Sequence, residues 1–409
     1  MIVLSGAALV LPDRILTPGI LTIDGDRIVD VSSGLRPGAP GSAGSDDGSR
    51  AFAFDHHYIV PGFIDVHVHG VEGFDTLDHG NPVAAMAARL PRYGVTAFCP
   101  TTVACTPEAL RRMLREVRLA RGTPASRSAR VLPAHLESNF INPEFRGAQP
   151  MACLRSPRAA LGRAPAHDRP GGFPAADVLA EIERAGADVG IVTLAPELEG
   201  GHDLIRWLVS HGVRVSLGHS GATFEEGLDA IAAGARQATH LFNRMLPLHH
   251  RAPGLAGAVL QSEEIAAEVI CDGYHVHPAL VRTAVAAKGP SRMIAITDGT
   301  AVSGLPAGTR ATLGGQPITA GESAALLDDG TLAGSALTMD RAFQTLVGKM
   351  KLSIVDAGAL CSTTPARELG LPDHGILARD AIADFVVLDG SLSVVQTYVG
   401  GQLVYSRTA

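Results

Sequence analysis

The sequence predicts an α/β protein, a TIM (β/α)8 barrel inserted in a small β-sandwich domain that both termini build. Three observations carry this. From residue 59 onward, eight short apolar runs of strand character alternate with helical segments. Hairpin-patterned runs precede that region and return after residue 358. Nearly every run is largely apolar until its last few positions, and polar residues capable of chemistry fall there. The expected spans are 1–58 with 359–409 for the β-sandwich and 59–358 for the barrel.

The chain opens with AALVLPDRIL and LTIDGDRIVDV, which read as strands, the second broken by Asp24-Gly25, a pair that favours a tight hairpin turn. Gly34 to Arg50 is so rich in Gly, Pro, Ser and Asp that it reads as a loop. Ile59 to Gly70, IVPGFIDVHVHG, reads as a buried strand entered through Pro61-Gly62. The eight runs are Phe63 to His69, Gly94 to Thr101, Arg130 to Glu137, Val189 to Glu197, Val213 to Ser220, Gln237 to Phe242, Ala267 to Asp272 and Arg292 to Asp298. Helix starts punctuate them: Thr106-Pro107-Glu108, a capping box from Thr223 to Glu226, and Pro278. A doubly wound open sheet competes, but no GxGxxG or GxxxxGK[ST] follows any run. Arg155 to Gly172 reads as an insertion, with His167 a solvated loop residue. TPARELGLPDHGILARDAIADFVVLDGSLSVVQTYVGGQLVY, from Thr364, reads as short strands and turns that complete the sandwich.

Composition excludes several functions. The net charge is -7 and no run of Lys or Arg marks a nucleic-acid face, so no nucleic-acid partner is expected. No apolar run reaches membrane-spanning length, and the N-terminus lacks a basic segment and a cleavage site. A cytoplasmic protein without a membrane partner is the expectation. Five cysteines form no CxxC pair and read as reduced thiols.

His67 and His69 sit at positions i and i+2 of a strand, so both imidazoles face one side, and two convergent imidazoles suit a divalent transition metal. The other runs end in Thr101, Glu137, Glu197, His219, His240, Asp272 and Asp298. In a barrel these ends share one face, the catalytic face. Any one of them alone reads as a hydrogen-bonded rim residue. Four histidines with Glu137 and Asp298 together read as a metal centre.

PGFIDVHVHG, HLE, LGHS, THLFN, DGYHVHP and ITDG, in that order, resemble the amidohydrolase superfamily and specifically its N-acetylglucosamine-6-phosphate deacetylases. The resemblance covers essentially the whole chain, including ADFVVLD and YVGGQLVY. It implies metal ligands at Glu137, His219 and His240, with His67 and His69 completing a second site: one or two divalent ions, zinc first, with iron, manganese or cobalt as alternatives. Other branches of the superfamily bridge their metals with a carboxylated Lys on the fourth strand. The three lysines here, Lys288, Lys349 and Lys351, lie far from that run.

Amide hydrolysis needs a nucleophile stronger than water near neutral pH, and a bound divalent cation lowers the pKa of its water towards about 7. Asp298, ending the eighth run, is placed to take that proton and pass it to the leaving amine. The resemblance further implies His275 as a substrate residue, Gln149 at a position that helps polarise the amide, and Asn243 and Arg251 as phosphate contacts. In relatives that Arg reaches the neighbouring subunit's site, which implies a homodimer. Two departures stand out: Ser138-Asn139 replaces a usual Gly-Pro, and Arg244 takes a position usually held by a small residue, adding charge beside the anion pocket or filling part of it. The expected reaction is hydrolysis of the acetamide of N-acetyl-D-glucosamine 6-phosphate to the amino sugar phosphate and acetate. The galactosamine epimer, another small N-acyl compound, and a non-catalytic sugar-phosphate binder stay open as alternatives.

Overall fold

Alternating apolar runs produce a parallel barrel when helices cover one face of each strand, and the computed structural model, which describes residues 1–34, 50–163 and 172–407, has that arrangement. Its barrel strands are Phe63–Val68, Val95–Thr102, Ala134–Glu137, Val189–Leu194, Arg214–Leu217, Gln237–Ala238, Ala266–Ile270 and Met293–Ile296. Each pairs in parallel with the next. The sixth is only two residues long, so Thr239 to Phe242 lies beyond it as irregular backbone.

The barrel closes between its first and last strands at their C-terminal ends. The Asp298 amide donates to the His67 carbonyl at 3.0 Å, the His69 amide donates to the Gly299 carbonyl at 2.7 Å, and Val68 bridges Gly299. Below that point a side chain continues the seam: Asp65 accepts from the Thr297 hydroxyl at 2.6 Å and from the Thr297 and His67 amides at 3.3 Å each. Burial pushes the Asp65 carboxyl up to about 7, opposed by those same hydrogen bonds.

Both termini build the second body. One sheet runs in the order Arg27–Ser33, Gly19–Asp24, Ile2–Ser5, Arg50–Ala53. The other runs Gln402–Ser406, Val394–Val399, Phe385–Leu388, Tyr58–Pro61, Ala8–Val10, Ile15–Leu16. Leu4, Leu9, Ile23, Ile59, Phe385 and Val387 fill the space between them. The Asp24-Gly25 turn forms as expected, with Asp24 opposite Arg27 and Gly25 at φ 58°. Tyr58–Pro61 pairs in this terminal sheet, and the barrel begins at Phe63. Between them Gly62 passes so close to Thr96 that a Cβ would lie 2.2 Å from its Oγ1.

The expected helix starts are present. Thr106 caps Pro107–Gly122, Thr223 and Glu226 form a capping box on Phe224–Ala232, and Pro278 opens Pro278–Lys288. One reading is corrected. TPARE is not strand but the helix Thr364–Glu368, which has Pro near its start, where a missing N–H costs nothing, and a Thr364 hydroxyl donating to the Pro290 carbonyl at 2.9 Å. A second element was not legible: Arg310–Leu313, Gln316–Ala320, Ala324–Leu327 and Leu332–Ser335 form an antiparallel sheet inserted after the eighth strand. It packs Leu313, Ile318 and Ala333 against Val103 and Val302. The loop expected over Gly34 to Arg50 lies almost wholly outside the described residues, as does His167. The described part of the following insertion forms the short helix Pro157–Ala160, capped by Ser156. No helix among the described residues is long and apolar enough to cross a membrane.

Candidate active site

The strand ends converge as the barrel requires. His67, His69 and Asp298 form one group, and Glu137, His219 and His240 a second, with the ligand-capable atoms of each within 4.8 Å of one another. All six residues are buried. Glu137 stands between the groups: its Oε1 is 2.8 Å from His219 Nε2, 2.9 Å from His240 Nε2 and 3.8 Å from His67 Nε2, and its Oε2 is 3.5 Å from His69 Nε2. Asp298 Oδ1 lies 3.2 Å from His69 Nε2 and 3.4 Å from His67 Nε2. The backbone is left-handed at His219 (φ 49°), His240 (φ 29°) and Asp298 (φ 49°), a cost of order 1 kcal/mol each that is concentrated where side chains are aimed.

These residues fit a divalent cation on their donor chemistry. His219 Nδ1 donates to the Phe145 carbonyl at 2.8 Å, so in the neutral ring Nε2 carries its lone pair towards Glu137 and towards His240 Nε2 at 3.1 Å. His67 Nδ1 likewise faces Glu268 at 2.9 Å, leaving Nε2 aimed at His69 Nε2 3.3 Å away. Lone pairs and carboxylate oxygens converging on one buried point repel one another unless a cation or extra protons sit among them. Burial works against the charged form of His67, but Glu268, Asp298 and Glu137 outweigh it and hold its pKa up at about 10. Burial likewise favours the neutral acid at Glu137 and Asp298, yet the surrounding histidines depress both below the usual carboxylate range.

A further trio, His67, His135 and Glu268, also meets ligand spacing. His135, however, spends both ring nitrogens within the fold, on the Val66 carbonyl at 2.9 Å and the Thr193 hydroxyl at 2.8 Å. Burial, then the neighbouring His67, lowers its pKa to about 4. It is a buttress beneath the cluster. Glu268 was missed from the sequence; its only signal was a Glu in the middle of an otherwise apolar run.

A cavity of 510 Å³ opens over the cluster, with His69, Glu137, His219, His240 and Asp298 in its wall. His275, Asn243, Arg244 and Gln149 line it too. Asp272 accepts from His275 Nδ1 at 2.6 Å, so its place at a strand end serves to orient that ring. Gln149 reaches the cavity, but its carboxamide is engaged: Oε1 accepts from the Ala104 amide at 2.7 Å and Nε2 donates to Glu137. The inserted sheet contributes Leu313, Leu332 and Gly334, and Gly334, at φ 70°, lies so close to Asp298 that a Cβ would sit 2.8 Å from its carbonyl oxygen.

Not every residue singled out in the sequence lines the cavity. Arg251 is exposed and does not line it. Glu197, expected at the fourth strand's end, lies beyond Leu194 in a loop, where it accepts from the Ser220 hydroxyl and the Gly221 amide at 2.7 Å each and from Asn142 at 2.8 Å. Ser138 and Asn139 are buried scaffolding: Ser138 donates to the Thr193 carbonyl at 2.5 Å and Asn139 to the Cys105 and Cys153 carbonyls at 2.7 Å each.

The Amidohydrolase family model matches residues 58–404. An N-acetylglucosamine-6-phosphate deacetylase of Rattus norvegicus is 40% identical over 359 residues, covering 85% of this chain and 83% of its own length. The corresponding protein of Bacillus subtilis is 33% identical over 402 residues, covering 97% and 96%. Among solved structures, a mutant of the Mycobacterium smegmatis N-acetyl-D-glucosamine-6-phosphate deacetylase in complex with N-acetyl-D-glucosamine 6-phosphate superposes with a TM-score of 0.85 at 30% identity, over 99% of both chains. From the strand-end cluster and these likenesses together, the chain belongs to the amidohydrolase family, in the branch of the N-acetylglucosamine-6-phosphate deacetylases.

Proposed function

We propose that the protein hydrolyses the acetamide of N-acetyl-D-glucosamine 6-phosphate, releasing acetate and D-glucosamine 6-phosphate. The observation that carries this reading is the cavity over Glu137, His219 and His240, with the Asp298 carboxylate in its wall, in a chain of this family. Glu137, His219 and His240 would hold a divalent cation, with His67 and His69 offering a second position. Zinc suits imidazole and carboxylate donors best, and iron, manganese or cobalt also match them. Bound there, the cation supplies Lewis acidity, making water a usable nucleophile near neutral pH and polarising the amide carbonyl.

The chain's own residues do the rest. Asp298, in the cavity wall beside His69 and His67, takes the proton from the attacking water and later delivers it to the departing nitrogen. Asp272 occupies His275 Nδ1, so Nε2 is the nitrogen left to contact substrate. Gln149 holds Glu137 in line from the cavity wall. Asn243 contacts the phosphate from within the chain, and Arg251 does so for the partner's site in a homodimer, consistent with its exposed position. The protein acts in the cytoplasm, a reading supported by five unpaired cysteines.

Acetate release tests the reading. Purified protein is given N-acetylglucosamine 6-phosphate, its galactosamine epimer and the unphosphorylated sugar, each with and without chelator. Chelator-sensitive release confined to a 6-phosphate is expected, with the glucosamine epimer preferred. Release that survives exhaustive chelation refutes the metal centre; a preference for the epimer renames the substrate.

A further inference from the structure

Arg251 lies outside the cavity, so within one chain the cation for a phosphate has to come from elsewhere. Among the described residues that line the cavity, Arg244 is the one Lys or Arg. Its side chain makes no hydrogen bond or ion pair with any described residue, and Glu144, a carboxylate in the same wall, does not pair with it. Its charge is therefore not neutralised by the fold.

The arginine is nevertheless placed. Its backbone is left-handed at φ 51°, pinned by the Ser220 amide, which donates to the Arg244 carbonyl at 3.0 Å, and by the pairing of Ser220 with Met245. Across from it stands Gly147 at φ 58°. A Cβ at Gly147 would lie 2.6 Å from Arg244 Nε and 3.1 Å from Cζ, so the guanidinium rests on a bare glycine backbone. Arg244 is exposed on the cavity wall, so its guanidinium is open to an incoming anion, and a planar guanidinium donates two parallel hydrogen bonds to a phosphate.

We propose that Arg244, seated on Gly147, is a phosphate-binding cation that each chain supplies to its own cavity, in addition to the arginine a partner subunit brings. The proposal rests on the sugar-phosphate reading above and adds to it a residue that favours a phosphorylated ligand.

Titration calorimetry of the metal-loaded full chain with glucose 6-phosphate, and with glucose as the control lacking a phosphate, reads the seat without turnover. Arg244→Ala is expected to weaken binding of the phosphate ester by about tenfold or more, the value of one or two charge-assisted hydrogen bonds, and to leave the response to glucose unchanged. Arg244→Lys should recover part of the loss. Gly147→Ala, which keeps the arginine but crowds it, should weaken the ester too. Unchanged ester binding in Arg244→Ala, or no ester binding by the wild type, overturns the proposal. Wild-type protein that binds the ester through Arg244 yet releases no acetate from N-acetylglucosamine 6-phosphate refutes the proposed reaction and leaves the seat standing.

Discussion

Glu268 Oε2 accepts the Nδ1 proton of His67 at 2.9 Å, deep inside the barrel where neither side chain meets solvent. The same carboxylate accepts from Gln237 Nε2 at 2.5 Å and from the His240 amide at 3.3 Å, so one residue steadies a histidine in each half of the cluster. A ring nitrogen held by a carboxylate fixes the tautomer of the other and makes it the better donor.

Glu268→Gln is therefore expected to lower metal affinity by about 10- to 100-fold, the usual cost of removing a carboxylate behind a ligating histidine. Competition against a chromophoric chelator measures this directly. A variant that melts earlier but keeps wild-type metal affinity would show that Glu268 only supports packing.

Asp298→Asn preserves size and keeps a polar group beside His69, but it cannot accept a proton. Turnover should fall by about 10²- to 10⁴-fold, the range for loss of a general base. Metal content and affinity for the substrate should change little by comparison. Turnover equal to wild type would remove Asp298 from the mechanism.

Away from the cavity, Glu368 joins the fifth strand to the last helix through Arg214 at 2.5 Å, Arg292 at 3.2 Å and Arg367 at 2.8 Å. Burial alone would raise its pKa, but Arg367 and Arg214 outweigh it and hold the carboxyl below its ordinary value. A depressed folded-state pKa contributes stability above the unfolded value and loses it as the pH falls through the folded one. Glu368→Gln should cost about 1–3 kcal/mol near neutral pH, since it leaves the largely buried Arg214 without its partner. The difference should begin to shrink as the pH falls below the ordinary carboxyl value of about 4, and should go on shrinking towards the depressed folded-state value, below which the wild-type carboxyl is protonated in both states. Melting curves of both proteins from pH 3 to 8 check it; a gap that stays constant across that range would exclude the charge as its cause.

How much was legible follows from the range of each interaction. Strand and helix alternation, the Asp24-Gly25 turn and the Thr223 capping box depend on neighbours a few residues apart, and a single sequence displays them. His67 and His69 declare a shared face by their spacing alone, and Asp298 announces a strand end by following an apolar run. TPARE misled because the turn residues around it read more strongly than one short helical turn buried against the barrel.

What the sequence by itself determined was the set of strands and the residues at their tips; tertiary structure decided which of those residues share a point in space. Asp65 meets Thr297 across 232 residues because closing the barrel brings its first strand against its last, and His67 meets Glu268 of the seventh strand across 201 residues inside the closed barrel. The sheet over 310–335 turns Leu313 and Gly334 into cavity wall, and the loop after the sixth strand sets Arg244, itself exposed, on the cavity wall and Arg251 away from it. Periodicity reports the face a side chain takes on its own element, whereas burial, pairing and charge depend on what the closed barrel sets opposite it.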